Sequence, residues 1–199
     1  HLFDNGEYDG TPYGEGCWFS QEQIREIIDY AAARGITVIP EIDLPGHMLA
    51  ALTAYPELGC TGGPYDVWGR WGVADEVLCA GKEETMVFLE NVLAEVADLF
   101  PSEYFHIGGD ECPASQWESN AMCQEKLAQM GKTSFRALQT EFIREINEHL
   151  SSLGKKIFCW NESITDNGAD LELMKKSGAT IMCWNPCQSG ASKAASLGL

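Results

Sequence analysis

Segments with an apolar residue at every third or fourth position alternate along this chain with short runs of nearly continuous apolar residues. The first pattern is typical of amphipathic helices, and the second is typical of strands buried on both faces of a parallel sheet. The pattern predicts helices over residues 20–35, 83–99, 116–130, 134–153 and 169–176, and a further helix that begins near residue 189. It predicts strands over residues 36–42, 104–107, 156–160 and 180–184. Each predicted strand therefore follows a helix.

Individual residues mark the ends of the predicted helices. Ser20 with Gln23 three positions later predicts a capping box, in which each side chain bonds the backbone of the other. Gly35 ends that first helix, since glycine readily adopts the left-handed conformation found after helix ends. Pro101 stops the helix over residues 83–99.

Alternating helices and buried strands predict an α/β fold with a parallel sheet. A doubly wound sheet is one possibility, but no Gly-x-Gly-x-x-Gly turn follows any of the predicted strands. Polar residues instead follow the carboxyl end of every strand, where (β/α)8 barrels build their active sites. We therefore expect a partial (β/α)8 TIM barrel of about four consecutive strand-helix units with parallel strands.

The length of the chain limits how much of a barrel it contains. A complete (β/α)8 barrel usually takes about 250 residues, and this chain has 199. His1 opens a loop-like stretch without an initiator methionine or a signal peptide. We expect residues 1–199 to be the central portion of a single catalytic domain that is truncated at both ends.

The polar residues that follow the four strands are expected to meet at one rim of the barrel. They are Glu41, Asp43 and His47 after the first strand, Asp110 and Glu111 after the second, Trp160, Asn161 and Glu162 after the third, and Trp184 and Asn185 after the fourth.

The charge of the chain excludes several classes of function. Thirteen basic and thirty acidic residues give a formal net charge of −17, which disfavours binding to nucleic acid and to anionic membrane surfaces. The sequence contains no phosphate-binding glycine loop and no apolar run long enough to span a membrane. The oligomeric state stays open.

Eight cysteines are many for a chain of this length, but they do not form the paired Cys-x-x-Cys motifs of zinc fingers. Cys60 and Cys79 flank a loop rich in glycine and tryptophan, and they could form a disulfide in an oxidising compartment. Cys159 and Cys183 lie in apolar strands, so we expect both to be buried thiols.

The adjacent carboxylates Asp110 and Glu111 are the strongest candidates for chemistry. On an extended backbone they would point to opposite sides and meet different parts of one bound substrate. The glycines at 108 and 109 would allow close approach of a ligand or of backbone. The alternative interpretation is that the pair caps a helix and supplies its first-turn acid.

The residues expected at the rim are also compatible with a metal-dependent reaction. Asp43, His47, His106 and Asp110 are candidate ligands of a metal-dependent hydrolase. The wide scatter of the four histidines weakens this alternative. Trp160 and Trp184 at two strand ends instead favour a carbohydrate substrate, because tryptophan faces stack on sugar rings.

Two motifs resemble a known family. The run Ala-Arg-Gly-Ile-Thr-Val-Ile-Pro-Glu-Ile-Asp-x-Pro-Gly-His over residues 33–47, and His-Ile-Gly-Gly-Asp-Glu over residues 106–111, strongly resemble the family 20 glycoside hydrolases, the β-N-acetylhexosaminidases. The resemblance covers nearly all of the chain. It implies a substrate-assisted, retaining hydrolysis of terminal β-linked N-acetylhexosamine in a glycan or chito-oligosaccharide, without a cofactor or a metal.

The resemblance also implies roles for individual residues. Glu111 would be the general acid and base, and Asp110 would orient the acetamido group. His47, Trp160 and Trp184 would bind substrate, with Asp43, His106 and Glu41 behind them. Asn161 departs from the aspartate more usual in the family at that position.

Three further expectations follow from the resemblance. The full-length protein would act in a secreted, periplasmic or lysosome-like compartment. The isolated segment would bind and cleave substrate poorly, because family residues of the pocket have no counterpart in it. A catalytically inert, carbohydrate-binding relative is the remaining alternative.

Overall fold

The computed structural model describes residues 18–184 and 188–199. Three parallel strands form its sheet in the order β1-β2-β3: β1 (Tyr104–His106), β2 (Lys156–Trp160) and β3 (Thr180–Met182). Phe105 pairs with Ile157, and Cys159 pairs with Ile181. Three of the four predicted strands are therefore confirmed, with parallel pairing as expected. Asn185, a predicted rim residue, and Cys17 and Cys187, two of the eight cysteines, lie outside the described residues.

The predicted strand over residues 36–42 is wrong as a regular, buried strand. A single parallel bridge joins Glu41 to His106, and the N–H of His106 donates to the carbonyl of Pro40 over 2.9 Å. Pro40 has no N–H of its own to extend a ladder. Ile36 and Ile39 are 58% and 40% exposed. The segment nevertheless lies beside β1 in parallel, so its polar end reaches the same rim.

Nine helices surround the sheet in the described parts of the chain. They are α1 (Gln21–Ala32), α2 (Leu49–Ala54), α3 (Glu83–Leu99), α4 (Ser115–Glu118), α5 (Ala121–Gln129), α6 (Phe135–Ser152), α7 (Glu162–Thr165), α8 (Leu171–Ser177) and α9 (Gln188–Leu197). A 3₁₀ helix, Pro56–Leu58, follows α2. The capping box of α1 is present as predicted, and α3 has the predicted bounds.

The predicted helix over residues 116–130 is interrupted. The chain leaves α4 at Ser119, and Asn120 then caps α5 by accepting hydrogen bonds from the N–H groups of Met122 and Cys123. Asparagine favours such an N-cap position over a helix interior. The sequence analysis also missed α2 and α7, which are short helices of six and four residues.

The core lies between the sheet and the two long helices α3 and α6. Its largest fully buried side chains include Trp117, Phe105, Phe142, Leu44, Leu52 and Leu89. None of the helices described here is both long and apolar enough to cross a membrane.

The described cysteines that the sequence singled out are free thiols. Cys159 is buried as expected, but Cys183 is exposed, which corrects the expectation for that residue. Cys60 and Cys79 approach each other as the disulfide hypothesis requires, but no bond joins them, and Cys123 lies with them.

Candidate active site

Four predicted site residues meet at the carboxyl end of β1 and of the segment beside it. The Nε2 atom of His47 lies 3.6 Å from Oδ2 of Asp110 and 3.4 Å from Oε2 of Glu111. Asp43 lies against the same group, with ligand atoms of Asp43, His47 and Asp110 within 4.8 Å of one another. The sequence therefore identified a real cluster. Both distances from His47 exceed those of strong hydrogen bonds, so the ring contacts each carboxylate only loosely.

The backbone after β1 is not extended, which corrects one step of the sequence reasoning. Gly108 and Gly109 have φ angles of 70° and 94°, and Glu111 has 42°. These angles turn the chain, so Asp110 and Glu111 both face His47 rather than opposite sides of a strand. A positive φ is uncommon outside glycine and tends to occur at functional sites. His47 also has a positive φ, of 54°.

The helix-cap interpretation of the Asp110-Glu111 pair is wrong. The next helix, α4, begins at Ser115, and its N-cap is Ala114, which makes no side-chain capping bond. The two carboxylates are therefore free of a role in capping that helix.

Gly108 is required by the position of Asp43. A Cβ atom at residue 108 would lie 1.6 Å from Oδ1 of Asp43 and 2.8 Å from its backbone Cα. Moving the Asp43 side chain would not relieve the contact with the backbone, and the positive φ adds strain. The same Oδ1 accepts a hydrogen bond of 3.3 Å from the N–H of Gly109. The two glycines thus let the loop wrap closely around Asp43.

Gln139 holds the other side of this loop and was missed by the sequence analysis. Its Nε2 donates to the carbonyl of Gly109 over 3.0 Å, and the side chain is only 4% exposed. The signal in the sequence was a glutamine on the apolar face of α6, next to Leu138 and Phe142. Ser163 also lies close, because a Cβ at Gly109 would be 2.7 Å from its Oγ.

Burial, together with the charge and hydrogen bond of the neighbouring Asp110, raises the pKa of Asp43 to about 8. Two carboxylates in contact do not both ionise easily, because the second negative charge would face the first. Asp43 is therefore protonated near neutral pH and can donate to the Asp110 carboxylate.

One oxygen of Asp110 has no protein partner among the described residues. Its Oδ1 is buried and receives no hydrogen bond, whereas its Oδ2 faces His47. An unsatisfied buried carboxylate oxygen costs free energy unless something else donates to it. This atom is thus placed to accept a hydrogen bond from a ligand.

His106 lies behind the cluster. Its Nδ1 accepts a hydrogen bond of 3.1 Å from the N–H of Gly108 and lies 3.3 Å from Oε1 of Glu41. Burial lowers the pKa of His106, against the opposing effect of the Glu41 charge. A neutral ring is consistent with Nδ1 as an acceptor, so we do not count the contact with Glu41 as an ion pair. The ring packs on Trp160 with centroids 4.5 Å apart.

Trp184 is held by a residue to which the sequence analysis gave no role. The indole Nε1 of Trp184 donates to Oε1 of Glu162 over 2.8 Å. Burial raises the pKa of Glu162, and the Asp110 charge contributes to this shift. Glu162 therefore lies within electrostatic reach of Asp110 while it fixes the half-exposed indole.

The four-ligand metal alternative is not formed as predicted. Asp43, His47 and Asp110 have ligand atoms close enough to share an ion, but His106 does not belong to that group. Its Nδ1 is used by Gly108, and its Nε2 is buried without a partner among the described residues. Because the raised pKa of Asp43 keeps it protonated near neutral pH, it can donate to Asp110, which is a sufficient reason for these carboxyls to lie together.

Comparison with known sequences assigns this arrangement to a family. Residues 2–199 match the catalytic domain of glycosyl hydrolase family 20. A β-hexosaminidase of Porphyromonas gingivalis is 41% identical over 188 residues, which are 94% of this chain and 23% of that protein. A β-hexosaminidase of Vibrio furnissii is 44% identical over 149 residues, which are 74% of this chain and 24% of that protein. The chain thus spans less than a quarter of the length of these curated relatives.

Solved structures agree with the sequence comparison. A β-N-acetylhexosaminidase from Bacteroides fragilis superposes with a TM-score of 0.81 and 35% identity, covering 98% of this chain and 38% of that one. An exo-β-N-acetylglucosaminidase from Vibrio harveyi, solved in complex with N-acetylglucosamine, gives a TM-score of 0.74 and 33% identity, covering 90% of this chain and 27% of that one. The predicted family resemblance and the partial barrel fold are confirmed.

Proposed function

This chain belongs to glycosyl hydrolase family 20, and on that basis we propose that the whole protein removes terminal, non-reducing β-linked N-acetylhexosamine from glycans or chito-oligosaccharides. The reaction would retain the anomeric configuration and use the substrate's own acetamido group as nucleophile. The curated relatives at 41% and 44% identity are named as β-hexosaminidases, which supports this substrate class.

The buried, unpartnered Oδ1 of Asp110 is the observation that carries the proposal. An acetamido N–H is a neutral donor that becomes more acidic as its oxygen attacks the anomeric carbon. A carboxylate oxygen that accepts a hydrogen bond from this N–H therefore stabilises the transition state more than the ground state. The adjacent Glu111 is more exposed, with 39% of its side chain accessible, as suits a group that must reach a leaving oxygen.

In the first step, the acetamido oxygen bonds to the anomeric carbon while the bond from that carbon to the leaving oxygen breaks. Glu111 gives its proton to the leaving oxygen. Asp110 accepts a hydrogen bond from the acetamido nitrogen, whose positive charge increases as the cyclic oxazolinium forms.

In the second step, Glu111 is a carboxylate and takes a proton from water. The water oxygen bonds to the anomeric carbon from the face that the aglycone left, and the bond from carbon to acetamido oxygen breaks. The acetamido group is restored and Glu111 is again protonated, so the enzyme returns to its starting state.

The remaining site residues position this pair. Protonated Asp43 would donate to Asp110 and keep it anionic, and His47 would limit how far the two carboxylates separate. Trp160 and Trp184 would wall the acetamido pocket, because indole faces pack well against sugar C–H groups and methyl groups. Glu41 and His106 would support the loop from behind.

We propose a secreted, periplasmic or lysosome-like compartment for the whole protein, as the family resemblance implies. Cell fractionation with an antibody to this domain tests it. Recovery of the protein in the cytosolic fraction would contradict this assignment.

The proposed chemistry is tested by replacing the two carboxylates in the intact protein. Glu111→Gln should lower kcat on a 4-nitrophenyl N-acetyl-β-glucosaminide by about 10²- to 10⁴-fold, because the amide cannot donate or accept the proton. Asp110→Ala should lower it by about 10²- to 10³-fold. Glu118→Gln is the matched control, since Glu118 is exposed on α4.

The substrate's role is tested in the same assay. A substrate with a hydroxyl in place of the 2-acetamido group should not be cleaved by the unmodified enzyme, because it lacks the nucleophile. Full activity of both carboxylate variants would overturn the proposed roles. Binding of N-acetylglucosamine without any turnover by the intact protein would support the inert, carbohydrate-binding alternative instead.

A further inference from the structure

Three cysteines that are distant in sequence meet at a second cluster, which does not involve the proposed catalytic residues. Cys60 follows the 3₁₀ helix, Cys79 precedes α3, and Cys123 lies in the first turn of α5. Their sulfur atoms all lie within 4.8 Å of one another, and those of Cys79 and Cys123 are 3.6 Å apart. Cys79 and Cys123 are completely buried, and Cys60 is partly buried.

The backbone around the cluster is fixed on several sides. Gly59 and Leu78 form an antiparallel bridge, and the N–H of Cys79 donates to the carbonyl of Leu58 over 2.9 Å. A Cβ at Gly81 would lie 2.5 Å from the nitrogen of Cys123. The loop therefore packs directly on the first turn of α5, and glycine at 81 is what permits that approach.

A lysine ammonium and the N-terminus of α5 lie beside the cluster. The ammonium of Lys82 donates to the carbonyls of Glu57 and Gly59 over 2.6 and 2.7 Å, which holds it beside the thiols. Cys123 lies near the positive end of the α5 dipole, which also stabilises a thiolate.

We propose that Cys60, Cys79 and Cys123 bind a thiophilic divalent metal ion of the zinc type. With Zn–S bonds of about 2.3 Å, the edge of a tetrahedron of sulfur atoms is about 3.8 Å. The separation of 3.6 Å between Cys79 and Cys123 is close to this edge. Full coordination by three thiolates releases their protons to solvent, and the ammonium of Lys82 offsets the single negative charge that remains.

The fourth ligand is a water molecule. The side chain of Asn120 lies beside the cluster, but its oxygen accepts from the N–H groups of Met122 and Cys123, and its nitrogen donates to the carbonyl of Cys60 over 3.0 Å. A groove lined by Cys60, Ser119 and Asn120 gives solvent access to that side.

A metal ion accounts for the cluster better than a disulfide does. A disulfide would use two of the three sulfurs and leave the third buried beside it, whereas one ion satisfies all three. The bound ion would tie the loop between α2 and α3 to α5. This site departs from the sequence-based expectation of no metal, and it does not depend on the proposed glycosidase activity.

The test uses the intact protein, reduced and freed of metal by a chelator. Co²⁺ should bind with one ion per chain and give the thiolate-to-metal absorption and visible bands of a tetrahedral sulfur site. Addition of Zn²⁺ should displace it and protect three thiols from a thiol reagent. Cys79→Ser and Cys123→Ser should abolish this binding, whereas Cys159→Ala, which removes a buried thiol outside the cluster, should keep it.

A gain-of-binding variant keeps the test decisive where the serine variants do not fold. Asn120→Cys adds a fourth thiol three residues before Cys123 and should tighten Zn²⁺ binding about tenfold or more. Unchanged affinity in this variant, or the same number of reactive thiols with and without Zn²⁺, would overturn the proposal. So would a Cys79–Cys123 disulfide in the protein isolated without reductant, together with no metal uptake after reduction.

Discussion

Gly108 is the residue at which the site geometry depends most directly on the absence of a side chain. Gly108→Ala would place a Cβ 1.6 Å from the Asp43 carboxylate at a φ of 70°. We expect a loss of about 3 kcal/mol or more in the free energy of unfolding, together with loss of hydrolysis. Gly131→Ala is the matched control, because it has φ 65° and open space around its Cβ position. It should cost only about 1 kcal/mol. Equal losses in denaturant unfolding of the two variants would show that the contact with Asp43 is unimportant.

The titration of Asp43 should lower the free energy of unfolding as pH rises from about 4 to about 8. Its pKa is raised from 3.8 to about 8 in the folded protein, so over this range the unfolded chain has lost a proton that the folded protein still holds. The unfolded state binds fewer protons, and the free energy of unfolding therefore decreases with pH. Asp43→Asn removes the titrating group and should flatten this decline by up to about 5 kcal/mol.

Denaturant unfolding at several pH values measures the effect of Asp43→Asn. Asp98→Asn, which changes an exposed aspartate on α3, provides the control. A decline of the same slope in Asp43→Asn and in the unmodified protein would contradict the assignment of a raised pKa to Asp43.

At the level of elements, α6 connects the core to the catalytic loop. Its apolar face packs in the core, and Gln139 on that face holds the carbonyl of Gly109. Gln139→Leu should cost about 1–3 kcal/mol, because the buried carbonyl loses its donor. We expect kcat to fall with little change in KM, since Asp110 follows Gly109 directly.

Gln129→Leu on α5 is the control for this variant, because Gln129 is exposed. Steady-state kinetics and thermal unfolding of both variants separate the two effects. A stability loss without any change in kcat would mean that the bond supports the core but does not position Asp110.

For the molecule as a whole, the described strands form an open sheet of three, with one bridged segment beside it. The chain spans 23% and 24% of two curated relatives. We propose, as the sequence led us to expect, that residues 1–199 are the central part of one barrel domain. The isolated chain should then turn over substrate on the order of a hundredfold or more slowly than the intact protein, because the positioning of the sugar is incomplete.

This expectation is checked by assaying both proteins at equal molar concentration, with far-UV circular dichroism to establish that the isolated chain is folded. A folded chain with a rate near that of the intact protein would contradict it.

The formal charge of −17 is also a property of the whole molecule. It disfavours binding to nucleic acid and to anionic membrane surfaces.

The sequence by itself determined the order of the long helices and of the three strands, the capping of α1 and the position of Asp110 and Glu111 after β1, because helix and strand periods and short motifs are local properties. Tertiary structure added contacts that the sequence did not predict. Neither Gln139 on Gly109 nor Cys123 beside Cys79 follows from periodicity, since each depends on how an entire helix packs. The turn after β1 is similar: alternation along a strand predicts opposite faces, but the positive φ angles imposed by packing around Asp43 bring both carboxylates to one side.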